Sequence, residues 1–132
     1  MKFYHVLIYM ESKKKVLIID DDNRNIFALT AVLKAKGYQC LSAIGGEEGL
    51  QLLEEQKDIA VVLMDMMMPG MDGYEAIARM SENPQLKDIP VIAVTAQAML
   101  GDKERCLNAG AVGYVSKPIN VDSLTDLLVK YI

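Results

Sequence analysis

The chain has no tryptophan, two phenylalanines, two cysteines and a single histidine among its 132 residues. Zinc sites of the Cys/His type need several such ligands at close spacing, and Cys40, Cys106 and His5 cannot supply them. One histidine also argues against triads in which an imidazole activates a serine or cysteine. The two thiols are expected to be free, in or near the core, where unpaired cysteines are common, and in a reducing compartment. No apolar run approaches the roughly 20 residues that span a bilayer, so membrane insertion is not expected and a soluble, cytoplasmic protein is. Positive charge is also scarce: 14 Lys and Arg against 18 Asp and Glu give a net charge of −4. Lys13-Lys14-Lys15 is the one cationic run. A nucleic-acid partner, which needs clustered Lys and Arg against phosphates, is therefore not expected.

What remains is an ordinary globular balance, 52% hydrophobic and 24% charged, at a length that suits one domain. Residues 1–14 stand apart as an N-terminal extension: Phe3-Tyr4-His5-Val6-Leu7-Ile8-Tyr9 is apolar and aromatic, and no small-residue cleavage site follows. Three readings of it stay open: a docked strand or helix, a disordered tail, or an upstream start with Met10 as the natural initiator. From Lys15 onward, short apolar runs alternate with amphipathic stretches. Strands are predicted at Val16–Ile19, Tyr38–Ser42, Ile59–Met64, Pro90–Val94 and Val112–Val115. Helices are predicted at Asn23–Lys36 (apolar stripe Ile26, Leu29, Ala31, Val32, Leu33), Glu47–Gln56, Tyr74–Ser81, Gly101–Ala109 and Asn120–Ile132. Five successive βα units imply one α/β domain, a doubly wound parallel sheet with helices on both faces.

In such sheets the functional crevice lies beyond the carboxyl ends of the strands. Asp20, Asp21, Asp65, Thr95 and Lys117 all fall at or just after a predicted strand end, so dispersed positions converge on one edge. Carboxylates about 4 Å apart repel by roughly 4 kcal/mol per pair at an effective dielectric of 20. Lys117 and a hard divalent cation such as Mg²⁺, which takes carboxylate, carbonyl and water oxygens, would offset that. With the Thr95 hydroxyl the set suits a phosphoryl group. Taken singly the same residues have plainer readings: an Asp run after a strand is often a solvated loop, Asp22 can cap the helix at Asn23, and Thr95 can be a turn residue.

Four motifs in order carry a resemblance to a known family: Val16-Leu-Ile-Ile-Asp20-Asp21-Asp22, Val61-Val-Leu-Met-Asp65 through Pro69-Gly70 to Asp72-Gly73, Ile92-Ala-Val-Thr95-Ala96, and Gly113-Tyr114-Val-Ser-Lys117-Pro118. Over residues 15–132 the chain resembles the receiver domain of two-component response regulators, with a flavour of the receivers of hybrid sensor kinases. The resemblance implies a flavodoxin-like strand order 2-1-3-4-5. It implies Asp65 as phosphoacceptor, fed by a histidine kinase or histidine phosphotransfer protein. It implies Mg²⁺ held by Asp21 directly, by Asp20 through water, by Asp65 and by the Met67 carbonyl. Lys117 would pair with the phosphoryl oxygens, Thr95 would swing to bond one of them, Tyr114 would rotate inward behind Thr95, and Pro118 would follow a cis bond.

Such a protein is a phosphoacceptor with autophosphorylation and autodephosphorylation chemistry rather than an enzyme, read by an unknown downstream protein. It would be a monomer or a phosphorylation-dependent dimer, either a stand-alone regulator or a receiver from a larger protein. Met67 and Gln97 would flank the path of the hydrolytic water. The other methionines near Asp65 (Met64, Met66, Met68, Met71) suit adaptable packing, with some left as a docking rim. Competing readings are a phosphorylation-independent interaction module, a flavodoxin-like cofactor binder, and a dehalogenase-type phosphatase. The aspartates after the first strand would repel a flavin phosphate. The phosphatase needs a second carboxylate two positions after its nucleophile: Met67 stands there after Asp65, whereas Asp22 does after Asp20, so turnover of phosphate monoesters is the test.

Overall fold

The computed structural model describes residues 15–96 and 100–132. Five strands, β1 (Lys15–Ile19), β2 (Gln39–Ala43), β3 (Ile59–Asp65), β4 (Val91–Thr95) and β5 (Gly113–Ser116), form one parallel sheet in the order β2-β1-β3-β4-β5. The helices between and after them are α1 (Asn23–Ala35), α2 (Gly46–Glu55), α3 (Gly73–Glu82), α4 (Asp102–Ala109) and α5 (Val121–Leu128).

The central strands are apolar on both faces because both faces are covered. Leu17, Ile19, Val62, Met64, Val91 and Ala93 pack on one side with Leu53, Ala76, Ile77, Met80 and Cys106, contributed by α2, α3 and α4. Val16, Ile18, Val61, Leu63, Ile92 and Val94 pack on the other with Ile26, Leu33, Leu124 and Leu128 of α1 and α5. Burying one Leu or Ile in these layers contributes about 1.5–3 kcal/mol. Local signals start the helices where the layers need them. Asp22, Asp72 and Asn120 cap α1, α3 and α5, accepting from the backbone N–H of Arg24, Glu75 and Ser123.

Most predicted ends move by a single residue, as in β4 (Val91–Thr95 for Pro90–Val94) and β5 (Gly113–Ser116 for Val112–Val115), and other features differ for identifiable reasons. Ala31, placed in the inner stripe of α1, is exposed; Leu29 and Val32 are only half-buried. Ala31 stands five residues, about 140° around the helix, from Ile26, and so turns away from the face that Ile26 and Leu33 bury. The last helix stops at Leu128 instead of Ile132, because the backbone tightens into turns: Lys130 N–H donates to Leu127 and Tyr131 N–H to Leu128. Tyr131 still lies half-buried against the α1–α5 side. The predicted strand Tyr38–Ser42 starts one residue later and ends at Ala43, since Tyr38 closes the end of α1 through its N–H to Leu33.

The order β2-β1-β3 sends the connections after β1 and β3 to opposite faces, which opens a crevice between those strand ends. Register brings the site together there. Ile19 lies beside Met64, so Asp20 emerges next to Asp65; Asp65 lies beside Val94; Thr95 lies beside Ser116, one residue before Lys117.

Candidate functional site

Asp65 closes β3 as a carboxylate only 4% exposed. Its Oδ1 accepts the Met67 N–H at 3.0 Å, and its Oδ2 lies 3.4 Å from the Lys117 Nζ. The same ammonium lies 3.2 Å from Asp20 Oδ2, while Asp20 Oδ1 accepts the Asp22 N–H at 2.9 Å. Lys117 therefore bridges two buried carboxylates that would otherwise repel. Its backbone is fixed from two sides: its N–H donates to the Thr95 carbonyl, and a cis peptide bond joins it to Pro118.

Burial, with the adjoining charge of Asp20, pushes the Asp65 carboxyl up to about 6 against the pull of the Met67 N–H and Lys117. Burial alone would lower the Lys117 ammonium, but Asp65 and Asp20 outweigh it and hold its pKa above the ordinary lysine value. Asp21 is exposed at the rim. Carboxylate oxygens of Asp20, Asp21 and Asp65 all lie within 4.8 Å of one another. Three hard oxygen donors at this spacing, one of them open to solvent, fit a divalent cation of the Mg²⁺ type. A cavity of about 250 Å³, walled by Asn25, Leu29 and Val32 of α1 and by Ile119, reaches Asp20, Asp65 and Lys117 from the α1 side.

Why the Asp65 end of β3 stays put follows from Gly73. A Cβ there would sit 2.7 Å from Met66 Cα and 2.9 Å from the Asp65 carbonyl, so only glycine lets α3 begin this close to the strand. The methionine expectation divides as the packing requires. Met64, Met66, Met68 and Met71 are buried, whereas Met67 is 49% exposed at the mouth. Cys106 is buried and Cys40 half-buried, both as free thiols.

The predicted set Asp20, Asp21, Asp65 and Lys117 is assembled on one edge, with Thr95 buried on the neighbouring strand. Asp22 serves as the cap of α1 and pairs with Arg24. Tyr114 is already half-buried: its ring packs against the α2–α4 side and its hydroxyl donates to Asp102 Oδ2 at 3.1 Å. Sequence reasoning did not single out Asp102. A carboxylate after Gly101 reads as a helix start, and nothing local marks its partner β5. Gln97 and the extension 1–14 lie outside the described residues. No helix among the described residues is long and apolar enough to cross a membrane.

Known proteins match this arrangement. The family model described as "Response regulator receiver domain" matches residues 16–129. A curated relative, the polar-differentiation response regulator DivK of Brucella anthropi, is 35% identical over 119 residues, covering 90% of this chain and 96% of its own. Among solved structures, the Vibrio cholerae chemotaxis protein CheY4 superposes with a TM-score of 0.81 at 27% identity, over 90% of this chain and 98% of its own. A putative response regulator from Chloroflexus aurantiacus gives 0.82 at 32% identity, over 89% and 95%.

Proposed function

The chain belongs to the response regulator receiver family, and from that premise we propose that it accepts a phosphoryl group on Asp65 from a phosphohistidine. The donor is a histidine kinase or a histidine phosphotransfer protein of a two-component system or phosphorelay in the cytoplasm. A carboxylate oxygen of Asp65 attacks phosphorus, the P–N bond to the donor imidazole breaks, and a mixed anhydride forms as the imidazole leaves and takes up a proton.

One observation carries the reading: a single ammonium, Lys117, reaches both Asp65 (3.4 Å) and Asp20 (3.2 Å) at the buried floor of the crevice. That cation can follow the negative charge from the carboxylate to the incoming phosphoryl oxygens without leaving the site. The Met67 N–H holds Asp65 Oδ1 and fixes the carboxylate plane. The Thr95 hydroxyl donates to a phosphoryl oxygen in this scheme, and Tyr114 answers its movement.

Mg²⁺, when bound, neutralises phosphoryl charge that Lys117 alone cannot. Asp21, exposed at the rim, would hold it directly. Asp20, whose oxygens already serve Asp22 and Lys117, would act through a water. Asp65 and the Met67 carbonyl would complete the set.

In this reading the chain is an acceptor rather than an enzyme acting on other substrates, and it signals as a monomer or a phosphorylation-dependent dimer to a downstream protein. Incubation with acetyl phosphate and Mg²⁺, followed by peptide mass mapping, tests it. Wild type is expected to carry one phosphoryl group on Asp65 and Asp65→Asn none, with unchanged circular dichroism. Undiminished labelling of the variant, or an unlabelled wild type, would overturn the assignment.

A further inference from the structure

The α4–β5 side carries a polar contact that the phosphoryl-transfer chemistry does not use. Asp102, the first residue of α4, is 8% exposed, a depth at which carboxylates are rare unless paired. Its Oδ2 receives the Tyr114 hydroxyl at 3.1 Å. Arg105, three residues on, does not neutralise it; its guanidinium lies 4.4 Å over the Tyr74 ring. The hydroxyl of Tyr74 in turn meets Cys106 Sγ at 3.6 Å. Tyr114 is thus the donor that α4 draws from the sheet.

Register adds the link to the site. Tyr114 lies beside Ala93, two residues before Thr95 on the same strand. Residues two apart on a strand share a face, so Thr95 and Tyr114 project to the α2–α4 side together. Burial, with the bond to Asp102, holds the Tyr114 phenol above its ordinary pKa, so it remains a donor at physiological pH. The bond coexists with Lys117 paired to the carboxylates of Asp20 and Asp65, an arrangement that phosphorylation of Asp65 must disturb.

We infer that Asp102 is a latch: it holds the Tyr114 hydroxyl in the resting arrangement, and the Thr95–Tyr114 movement must break this bond before the α4–β5 surface can change. This rests on the reading of Asp65 as phosphoacceptor. Asp102 is a positioning residue, acting on the site only through Tyr114. Taking the hydroxyl away leaves a buried carboxylate short of a donor, so the latch biases the unphosphorylated state. Its release would be read on a surface that already exposes Leu100, Leu107 and Val112. The specific role is that of Asp102; the coupling of threonine to aromatic is the family's own.

Titration with beryllofluoride and Mg²⁺, followed by amide NMR, tests the latch in the full chain. The proteins are wild type, Tyr114→Phe, Asp102→Ala, the double variant, and Asp102→Asn, which keeps an acceptor for the hydroxyl. Tyr114→Phe keeps the ring and removes only the donor. Breaking the latch should tighten beryllofluoride binding by roughly tenfold, the equilibrium factor of one hydrogen bond to a charged group. Tyr114→Phe, Asp102→Ala and the double variant should gain by the same factor, because each removes the same bond. Asp102→Asn should gain less. A structural role alone would lower the unfolding midpoint of the variants and leave this affinity unmoved, and that result overturns the latch. Additive gains, or weaker binding in the single variants, overturn it too. Failure of wild type itself to bind would sink the phosphoacceptor reading instead, so the two failures are told apart.

Discussion

Replacing Asp65 by asparagine should make the fold more stable at pH 8 and leave it unchanged near pH 4. Burial and the charge of Asp20 hold the Asp65 carboxyl near 6, above the 3.8 of an unperturbed aspartate. Between those values the folded protein keeps a proton that the unfolded chain has lost. Stability therefore falls as pH rises through that window and stays lower above it. Two pH units at about 1.36 kcal/mol each set an upper figure of about 3 kcal/mol. Asparagine keeps an acceptor for the Met67 N–H, but its neutral amide gives up the charge that attracts Lys117, which takes part of the gain back. A net gain of about 1–2 kcal/mol at pH 8 follows, vanishing below about pH 4 where both forms of the wild type are protonated. Urea unfolding of the two proteins at pH 4 and pH 8, in EDTA and followed by circular dichroism, measures it. A variant no more stable than wild type at pH 8, or a difference equal at both pH values, would refute the claim that Asp65 is held against its own charge.

Further outcomes concern the cation and the water. Asp21→Ala should weaken Mg²⁺ binding, measured by calorimetry, more than Asp20→Ala does, because the Asp20 oxygens are already engaged by Lys117 and the Asp22 N–H; equal losses would count against a direct role for Asp21. Met67→Asn should speed the loss of phosphate from Asp65 several-fold at saturating Mg²⁺. The exposed thioether orients water poorly, whereas an amide can hold it by hydrogen bonds; an equal or slower rate in the variant would show that Met67 does not shield the anhydride.

The strands were legible because each central run, such as Val61-Val62-Leu63-Met64, is apolar on both faces and ends in a residue that breaks the pattern. The site was legible for a related reason: parallel topology puts every strand end on one edge, so Asp20, Asp65, Thr95 and Lys117 could be grouped before any distance was known. Helix ends were harder. Tyr131 continues the apolar spacing of α5 after the backbone has already left the helix at Leu128, since a tight turn preserves the inward direction without the hydrogen-bond pattern. Ala31 misled because alanine suits either face of a helix. Asp102 was invisible for a different cause. Its partner Tyr114 lies on another element, and a half-buried pairing of carboxylate and phenol leaves no periodic trace in either segment.

The ammonium that bridges the two carboxylates comes from a position 97 residues away from Asp20 and 52 from Asp65. Closing that distance is the slowest kind of contact for a folding chain, because the entropy of the whole intervening loop must be spent before any attraction is felt. A nascent chain that has made β1 and β3 but not yet docked β5 already sets Asp20 beside Asp65, with the Lys117 cation still missing from between them. A chain nicked between these positions that lets β5 drift away returns to the same condition. The carboxylate pair thus becomes compensated only in a molecule folded through its fifth strand, which ties the electrostatics of the crevice to the last part of the sheet to dock.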